Sequence, residues 1–226
     1  MSAVFVIPAS DTLVSAIETV RPIVDGDPKQ TKALYKTIGN AYVDAVVDGM
    51  VLDYIRESGS AKPRTRSLVE TLASLIKSVA HGLVGQAFGK LTPDHARSVL
   101  AYLDERASRY HDGPGLSAPI GDDAARGIES AVAALSSDDL AARRQLLKAT
   151  MHTVIERAME YHYQKPFSLL ELGFLTRKAV DVGYDTITRG SISTINSALD
   201  DAEEPQLREL TEFLARRLMK GAQPAS

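Results

Sequence analysis

The chain has 226 residues, of which 44% are apolar and 24% charged, and its formal net charge is −3. This composition is typical of a soluble globular protein, and the negative charge disfavours electrostatic binding of nucleic acid. The chain has no cysteine. That excludes disulfides, thiol catalysis and cysteine-ligated metals, and it is compatible with the cytoplasmic location that we expect.

Helical periodicity covers most of the chain, and prolines stand at the junctions between periodic segments rather than inside them. A strand signal occurs only at Ala3 to Ile7. Ser168 and Glu171 have the spacing of a capping box that opens a helix, and Gly190 is expected to kink or end that helix. The helices are predicted at about residues 11–20, 27–57, 67–89, 92–110, 122–135, 137–163, 168–188, 191–199 and 205–220. The pattern predicts an all-α fold, a multi-helix bundle of about seven to nine helices.

Residues 111–121 (HDGPGLSAPIG) contain three glycines and two prolines and are predicted to form a loop. One helical domain is expected over residues 1–220, and this loop divides it into two candidate helical halves, 1–110 and 122–220. The tail, residues 221–226, is predicted to be disordered.

The helix predicted from Ser67 to Gly89 has two contrasting faces. One is broad and apolar, which predicts a central helix of the bundle. The opposite face, here called the small-residue face, consists of Ser67, Thr71, Ser74, Ser78, Gly82, Gly85 and Gly89. Because glycine in a helix interior costs about 1 kcal/mol relative to alanine, the clustered glycines indicate close approach by a neighbouring helix, a second copy or a ligand. The expected interface residues are Ser74, Ser78, Gly82, Gly85 and Gly89.

Three residues suggest a catalytic metal site. His81 lies on one helix, and His111 and Asp112 follow at the end of the next. This order resembles the HD-domain metal phosphohydrolases, an all-α family in which a later aspartate, here Asp181, completes the metal site. The resemblance implies a divalent metal held by His81, His111 and Asp112. Gly-Pro-Gly follows His-Asp here, where the family continues with an apolar residue, glycine and lysine. The alternative interpretation of His111 is a histidine favoured by a helix C-terminus.

A second set of candidate metal ligands is His152, Glu156 and Glu160, which follow one another at intervals of four residues. This spacing places one imidazole and two carboxylates on one stripe of a helix, and these are metal-ligating groups. The alternative is a solvated helix face with ion pairs between neighbouring turns.

Two kinds of segment are candidate binding elements. The aromatic run from Tyr161 to Phe167 ends a helix, and it is interpreted either as a wall of a ligand pocket or as a plug for the core. The basic clusters are interpreted as solvated surface, although the loop-borne first one is also a candidate for contacting phosphate, a membrane surface or an acidic partner. These clusters are Lys62–Arg66, Arg143-Arg144, Arg177-Lys178 and Arg216-Arg217.

The chain contains no Gly-x-Ser-x-Gly, P-loop, Gly-x-Gly-x-x-Gly or His-Glu-x-x-His pattern. We therefore expect a non-enzymatic helical protein, a scaffold or regulator, that binds a protein partner or itself and needs no cofactor. One alternative is a metal-dependent hydrolase that uses the residues above with a divalent metal. The other is a membrane-active or lipid-binding helical bundle, since small-residue ladders suit helix packing in bilayers. Lys77 in the middle of the most apolar helix disfavours a membrane span, and peripheral contact with a membrane stays open.

Overall fold

A computed structural model describes residues 3–26, 28–88 and 91–220. The helices are Asp11–Val20 (α1), Pro28–Val47 (α2), Asp53–Glu57 (α3), Pro63–Ala87 (α4), Pro93–Arg106 (α5), Gly121–Ala133 (α6), Leu140–Met159 (α7), Lys165–Ser168 (α8), Phe174–Asp200 (α9) and Glu204–Arg217 (α10). Because π-helical turns continue α2 into α3 and α7 into α8, these residues form eight helices. The prediction of an all-α multi-helix fold is confirmed. The tail predicted to be disordered, 221–226, lies outside the described residues.

A small antiparallel sheet accompanies the helices. Its strands are Ala3–Pro8 (β1), Ala107–Tyr110 (β2), Gly113–Pro119 (β3) and Leu218–Lys220 (β4), in the order β2-β3-β1-β4. The strand expected at Ala3 to Ile7 is present, and its residues are buried in the core. The first and last elements of the described chain are thereby joined, since β1 pairs with β4 on one side and β3 on the other.

The prediction of a loop over residues 111–121 was wrong. Only His111 and Asp112 form a turn, and His111 there has a φ of 52°. Residues 113–119 form β3 in spite of their glycines and prolines, because β1 and β2 supply hydrogen-bonding partners on both sides. Leu116 and Ala118 are buried on this strand, and a side chain at Gly115 would be crowded, since its Cβ would lie 3.1 Å from the Ile7 carbonyl oxygen.

Two predicted helix ends, a start at Ser168 and a kink or end at Gly190, were also wrong. Ser168 is the last residue of α8 and opens no helix, since its hydroxyl donates back to the Lys165 carbonyl oxygen at 2.8 Å. The next helix, α9, begins only after Gly173. It then continues through Gly190 without a break, because Gly190 lies against Leu72 and Leu75 of α4 and the packing there holds the helix together.

The long helices are arranged around α4 and α9. Helix α4 packs between α2 and α9, as expected for a central helix, and α9 packs in turn against α7, which contacts α6 and α10. Gly183 of α9 lies beside Leu83, and Gly190 lies beside Leu72, so α4 and α9 run antiparallel. One face of each helix therefore points into the bundle, and the opposite faces lie side by side on its surface.

Candidate functional site

The small-residue face of α4 is open. Ser74, Ser78, Gly82 and Gly85 are all exposed. A Cβ added to Gly82 would meet nothing within 4 Å, and one added to Gly85 would meet only the Lys36 side chain at 4.0 Å. Gly89, the last residue predicted for this interface, lies outside the described residues. Within the described part of the chain, no helix approaches this face closely.

Close backbone approach occurs instead at glycines that the sequence analysis did not single out. A Cβ added at Gly39 would lie 2.8 Å from Val84, and one added at Gly49 would lie 2.7 Å from Ile7. A Cβ added at Gly127 would lie 2.7 Å from the Thr150 hydroxyl. At Gly183 it would collide with the Tyr163 hydroxyl and lie 3.0 Å from Leu83. These glycines set the spacing between elements within this chain.

The surface beside the small-residue face carries unusually exposed apolar side chains. On α9, Phe174 is 80% exposed, Leu175 79% and Val182 58%. Leu175, Lys178, Val182, Asp185 and Arg189 recur every three or four residues, so they form one stripe that faces solvent. Because α4 and α9 are packed side by side, this stripe and the small-residue face form one continuous surface, here called the outer face.

The candidate catalytic residues lie in separate surroundings. The Nε2 atom of His81 lies 3.3 Å from the Asp44 carboxylate of α2, beside Lys77, which bridges Asp44 and Asp48. His111 and Asp112 are exposed at the β2–β3 turn, where the His111 ring contacts Tyr110 at 4.5 Å between ring centres. Asp181 is exposed on α9.

The second set of candidate metal ligands is engaged in other contacts. His152 Nε2 lies 2.9 Å from the Asn196 side-chain oxygen, Glu160 accepts a hydrogen bond from Arg157 at 2.7 Å, and Glu156 is exposed. Across residues 3–26, 28–88 and 91–220, no group of three or more His, Cys, Asp or Glu side chains is arranged to hold a metal ion. The metal-dependent hydrolase stays a prediction from the sequence.

A large apolar cavity lies on the opposite side of α4, inside the bundle. Its volume is about 190 Å³, which is larger than the engineered cavities of about 150 Å³ that bind benzene. The walls come from α2, α4, α7, α9 and α10, with mostly aliphatic and aromatic side chains such as Val46, Leu72, Ile76, Val154, Ile187 and Phe213. The space exists because several inward positions carry small side chains, namely Ala80, Ala158, Ser191 and Ala198.

The cavity is elongated along α4. Thr65, Val69, Leu72, Ile76 and Ala80 all line it, and they recur at one residue per turn. At a rise of 1.5 Å per residue these positions extend over about 22 Å. Its lining on the neighbouring antiparallel helix, α9, extends from Ile187 to Leu199. The cavity therefore follows the long axis of the helices.

Polar side chains gather at one end, here called the mouth. Lys62, Thr65, Asp201 and Gln206 line the cavity there, and Asp201 is the one exposed residue among those that line it. The Lys62 ammonium donates to the Asp201 carbonyl oxygen at 2.9 Å and to Glu203 at 2.6 Å. The hydrogen bond from Lys62 and its positive charge hold the pKa of Glu203 below its usual range. Gln206 donates to the Ser60 carbonyl oxygen at 2.7 Å, which ties the two sides of the mouth together.

The inner end is formed by the aromatic run at residues 161–167. His162, Tyr163 and Phe167 all line the cavity, so this run forms a pocket wall, and Tyr163 and Phe167 also belong to the core. The Tyr42 hydroxyl and His162 Nδ1 share a hydrogen bond of 2.8 Å. Burial, assisted by the positive charge of Arg106, lowers the pKa of His162 to about 4. The inner end is thus uncharged at neutral pH.

By length and composition alone, α4 is the one helix of the described chain that passes as a candidate membrane span, a criterion that core helices of soluble proteins also meet. Comparison of the chain with protein-family models, curated proteins and solved structures finds no match.

Proposed function

We propose that this protein binds an apolar small molecule inside its helical bundle. The observation that carries the proposal is the cavity of about 190 Å³ with predominantly apolar walls. A ligand with an apolar body that fills the cavity removes its own apolar surface and that of the walls from water, which is favourable. This supports the lipid-binding form of the helical bundle over the metal-dependent hydrolase.

The first test introduces a large side chain that occupies part of the cavity. Ser191 lines the cavity in the middle of α9, whereas Ser193, two residues further along, is exposed. The wild-type protein is expected to bind the neutral fluorescent probe N-phenyl-1-naphthylamine, and Ser191→Phe is expected to weaken this binding at least about tenfold. Ser193→Phe is the matched control and should bind as the wild type does. Absence of binding to the wild type, or equal binding by Ser191→Phe, contradicts the proposal.

A second candidate function is self-association through the outer face. Leu175 and Val182 are exposed there, and the small residues of α4 leave room for a close neighbour. Exposed apolar side chains grouped on one surface are typical of contact sites. This is the protein-binding function that the sequence favours, with a second copy of the chain as the partner.

The charged residues on α9 are compatible with a symmetric dimer of two copies of the chain. Lys178 and Asp185 lie one turn before and one turn after Val182. A two-fold axis beside Val182 therefore brings each Lys178 opposite Asp185 of the second copy, so that two ion pairs form. In the same arrangement Leu175 lies opposite Arg189, which pairs with Asp185 within its own chain at 3.3 Å. In this proposed interface the exposed side chains of Leu175 and Val182 accompany the ion pairs between Lys178 and Asp185.

The expected result is a dimer that a single charge reversal weakens and a double reversal restores. Lys178→Glu and Asp185→Lys each place like charges opposite one another and should each weaken dimerisation at least about tenfold. The double variant, with both reversals, should recover it. Sedimentation velocity over a range of protein concentrations measures the effect. A wild-type protein that stays monomeric, or a double variant no better than the single ones, rules this interface out.

A further inference from the structure

The imidazole of His162 separates two cavities. It lines the large cavity and also a smaller one of about 50 Å³, together with Val43 and Phe167. Its Nδ1 atom shares a hydrogen bond of 2.8 Å with the hydroxyl of Tyr42, which lines only the smaller cavity. One edge of the ring is therefore held towards the smaller cavity, and the other edge borders the large one.

The second ring nitrogen of His162, Nε2, is free to bind a ligand. It has no hydrogen-bond partner among the residues that the structure describes, and protein atoms do not enclose it. The ring itself lies deep enough for burial to lower its pKa to about 4. Open space beside a nitrogen at that depth is the cavity, so Nε2 presents one hydrogen-bonding position to a molecule that fills it.

The other polar groups that line the large cavity have partners elsewhere or within reach on their own helix. At the mouth, Lys62 and Gln206 already donate to backbone carbonyl oxygens, and the Asp201 carboxylate pairs with an arginine. Along α9, the hydroxyls of Ser191 and Thr194 can turn to carbonyl oxygens one turn earlier. An imidazole that is fixed through Nδ1 has no such alternative.

The charge of the ring restricts the polar group of the ligand. A neutral imidazole supplies no counter-charge, so a carboxylate or an ammonium group beside it would lose hydration without compensation. Arg106, whose charge acts on His162, also repels a cation, and it is itself paired with Glu105 at 3.0 Å. A hydroxyl is uncharged and both donates and accepts, so it pairs with Nε2 whichever ring nitrogen carries the proton.

The volume and walls of the large cavity restrict the rest of the ligand. About 190 Å³ is roughly a quarter more than the engineered cavity of about 150 Å³ that binds benzene. There is therefore room for a benzene ring that carries small substituents. Because the walls are mostly aliphatic and aromatic, further polar groups on the ligand would lose hydration without regaining hydrogen bonds.

We infer that the ligand has a compact apolar body and a single hydroxyl group, and that this hydroxyl binds Nε2 of His162 at the inner end of the cavity. This inference rests on the proposed function, because it requires that the cavity be a binding site. It adds the chemical class of the ligand and the residue that orients it.

The test compares p-cresol with p-xylene, which has the same shape but a methyl group in place of the hydroxyl, by isothermal titration calorimetry on the full chain. Both should bind the wild type. His162→Phe is expected to lower the affinity for p-cresol relative to p-xylene at least about tenfold. His152→Phe is the matched control, because His152 bonds to Asn196 and does not line the cavity. p-Toluate and p-methylbenzylamine should bind the wild type at least about tenfold more weakly than p-cresol.

A measurement on the wild type accompanies the variants, because His162→Phe also removes the partner of the Tyr42 hydroxyl. In nitrogen-15 NMR spectra of the imidazole groups, p-cresol should shift the Nε2 resonance of His162, and p-xylene should leave it nearly unchanged. The other four of the five histidines serve as internal controls.

Three results would overturn the inference: p-cresol binds without shifting Nε2 or fails to bind where p-xylene binds, its preference over p-xylene survives His162→Phe, or a charged analogue binds as well as p-cresol. If p-cresol, p-xylene and N-phenyl-1-naphthylamine all fail to bind the wild type, the proposed function itself has failed.

Discussion

Replacing Arg217 with methionine is expected to lower the free energy of unfolding by about 3 kcal/mol, whereas the same change at Arg216 should lower it by less than about 1 kcal/mol. Both arginines lie at the end of α10 and both hydrogen-bond Glu57. Arg217 is fully buried, whereas the Arg216 side chain is 46% exposed. Urea denaturation followed by circular dichroism measures both changes.

The difference follows from what each substitution leaves behind. Arg217 donates to Asp53 at 3.1 Å and to Glu57 at 3.2 Å, and its guanidinium lies 3.8 Å from the centre of the Phe213 ring. Without it, the partly buried Asp53 carboxylate loses this counter-charge, and removing one partner of a buried ion pair costs more than the pair contributes. Equal losses for the two variants would show that burial does not determine the contribution of Arg217.

The loss of stability caused by Arg217→Met is expected to depend on pH. Burial raises the pKa of Glu57, but hydrogen bonds from Arg216 and Arg217 outweigh it and hold the pKa below its usual range. A carboxyl group with a lowered pKa stabilises the fold above its unfolded pKa and loses that contribution as the pH falls through its folded pKa. The stability difference between the wild type and Arg217→Met should therefore narrow in acid.

Substituting alanine for glycine is expected to have opposite effects at two positions. Gly183→Ala should lower the free energy of unfolding by about 1–3 kcal/mol, because the new methyl group collides with the Tyr163 hydroxyl and crowds Leu83. Gly82→Ala should raise it by up to about 1 kcal/mol, since alanine is the better helix former and nothing described lies within 4 Å. Both glycines lie inside long helices, so each serves as the control for the other.

Thermal or urea unfolding at a low protein concentration measures these two changes without a contribution from association. A stabilised Gly183→Ala would mean that α4 and α9 move apart easily. A destabilised Gly82→Ala would mean that the small-residue face packs closely against something in the monomer. Either result would remove the distinction between internal and external glycines on which the self-association proposal depends.

Part of this molecule follows from local sequence alone. The start of α5 is an example, because Thr92 caps the helix by accepting a hydrogen bond from the His95 amide, and Pro93 suits the first turn. The apolar face of α4, which includes Val69, Leu72 and Ala80, was recognisable from its spacing, and it is buried as expected. Such signals act within a few residues, so they hold whatever the rest of the chain does.

Other features depend on partners that are distant in sequence. Residues 113–119 form a strand because β1, more than 100 residues earlier, pairs with them. Arg143 and Arg217 belong to basic pairs predicted to be solvated, yet they are 5% and 0% exposed, while Arg216 stays in water. A run of two arginines does not reveal which one meets a carboxylate inside the fold, because burial is decided by the packing of other elements.

By itself, the sequence determined the fold class, the central place of α4 and most helix boundaries, because periodicity, capping and proline geometry act locally. Only the tertiary structure decided which glycines allow close contact and which stand open, since that depends on the neighbour opposite each one. It also decided the cavity, which arises where small inward side chains of several helices, such as Ala80, Ala158 and Ser191, line a common space. Each of these residues is unremarkable in its own helix, and the space between them exists only once the helices are packed.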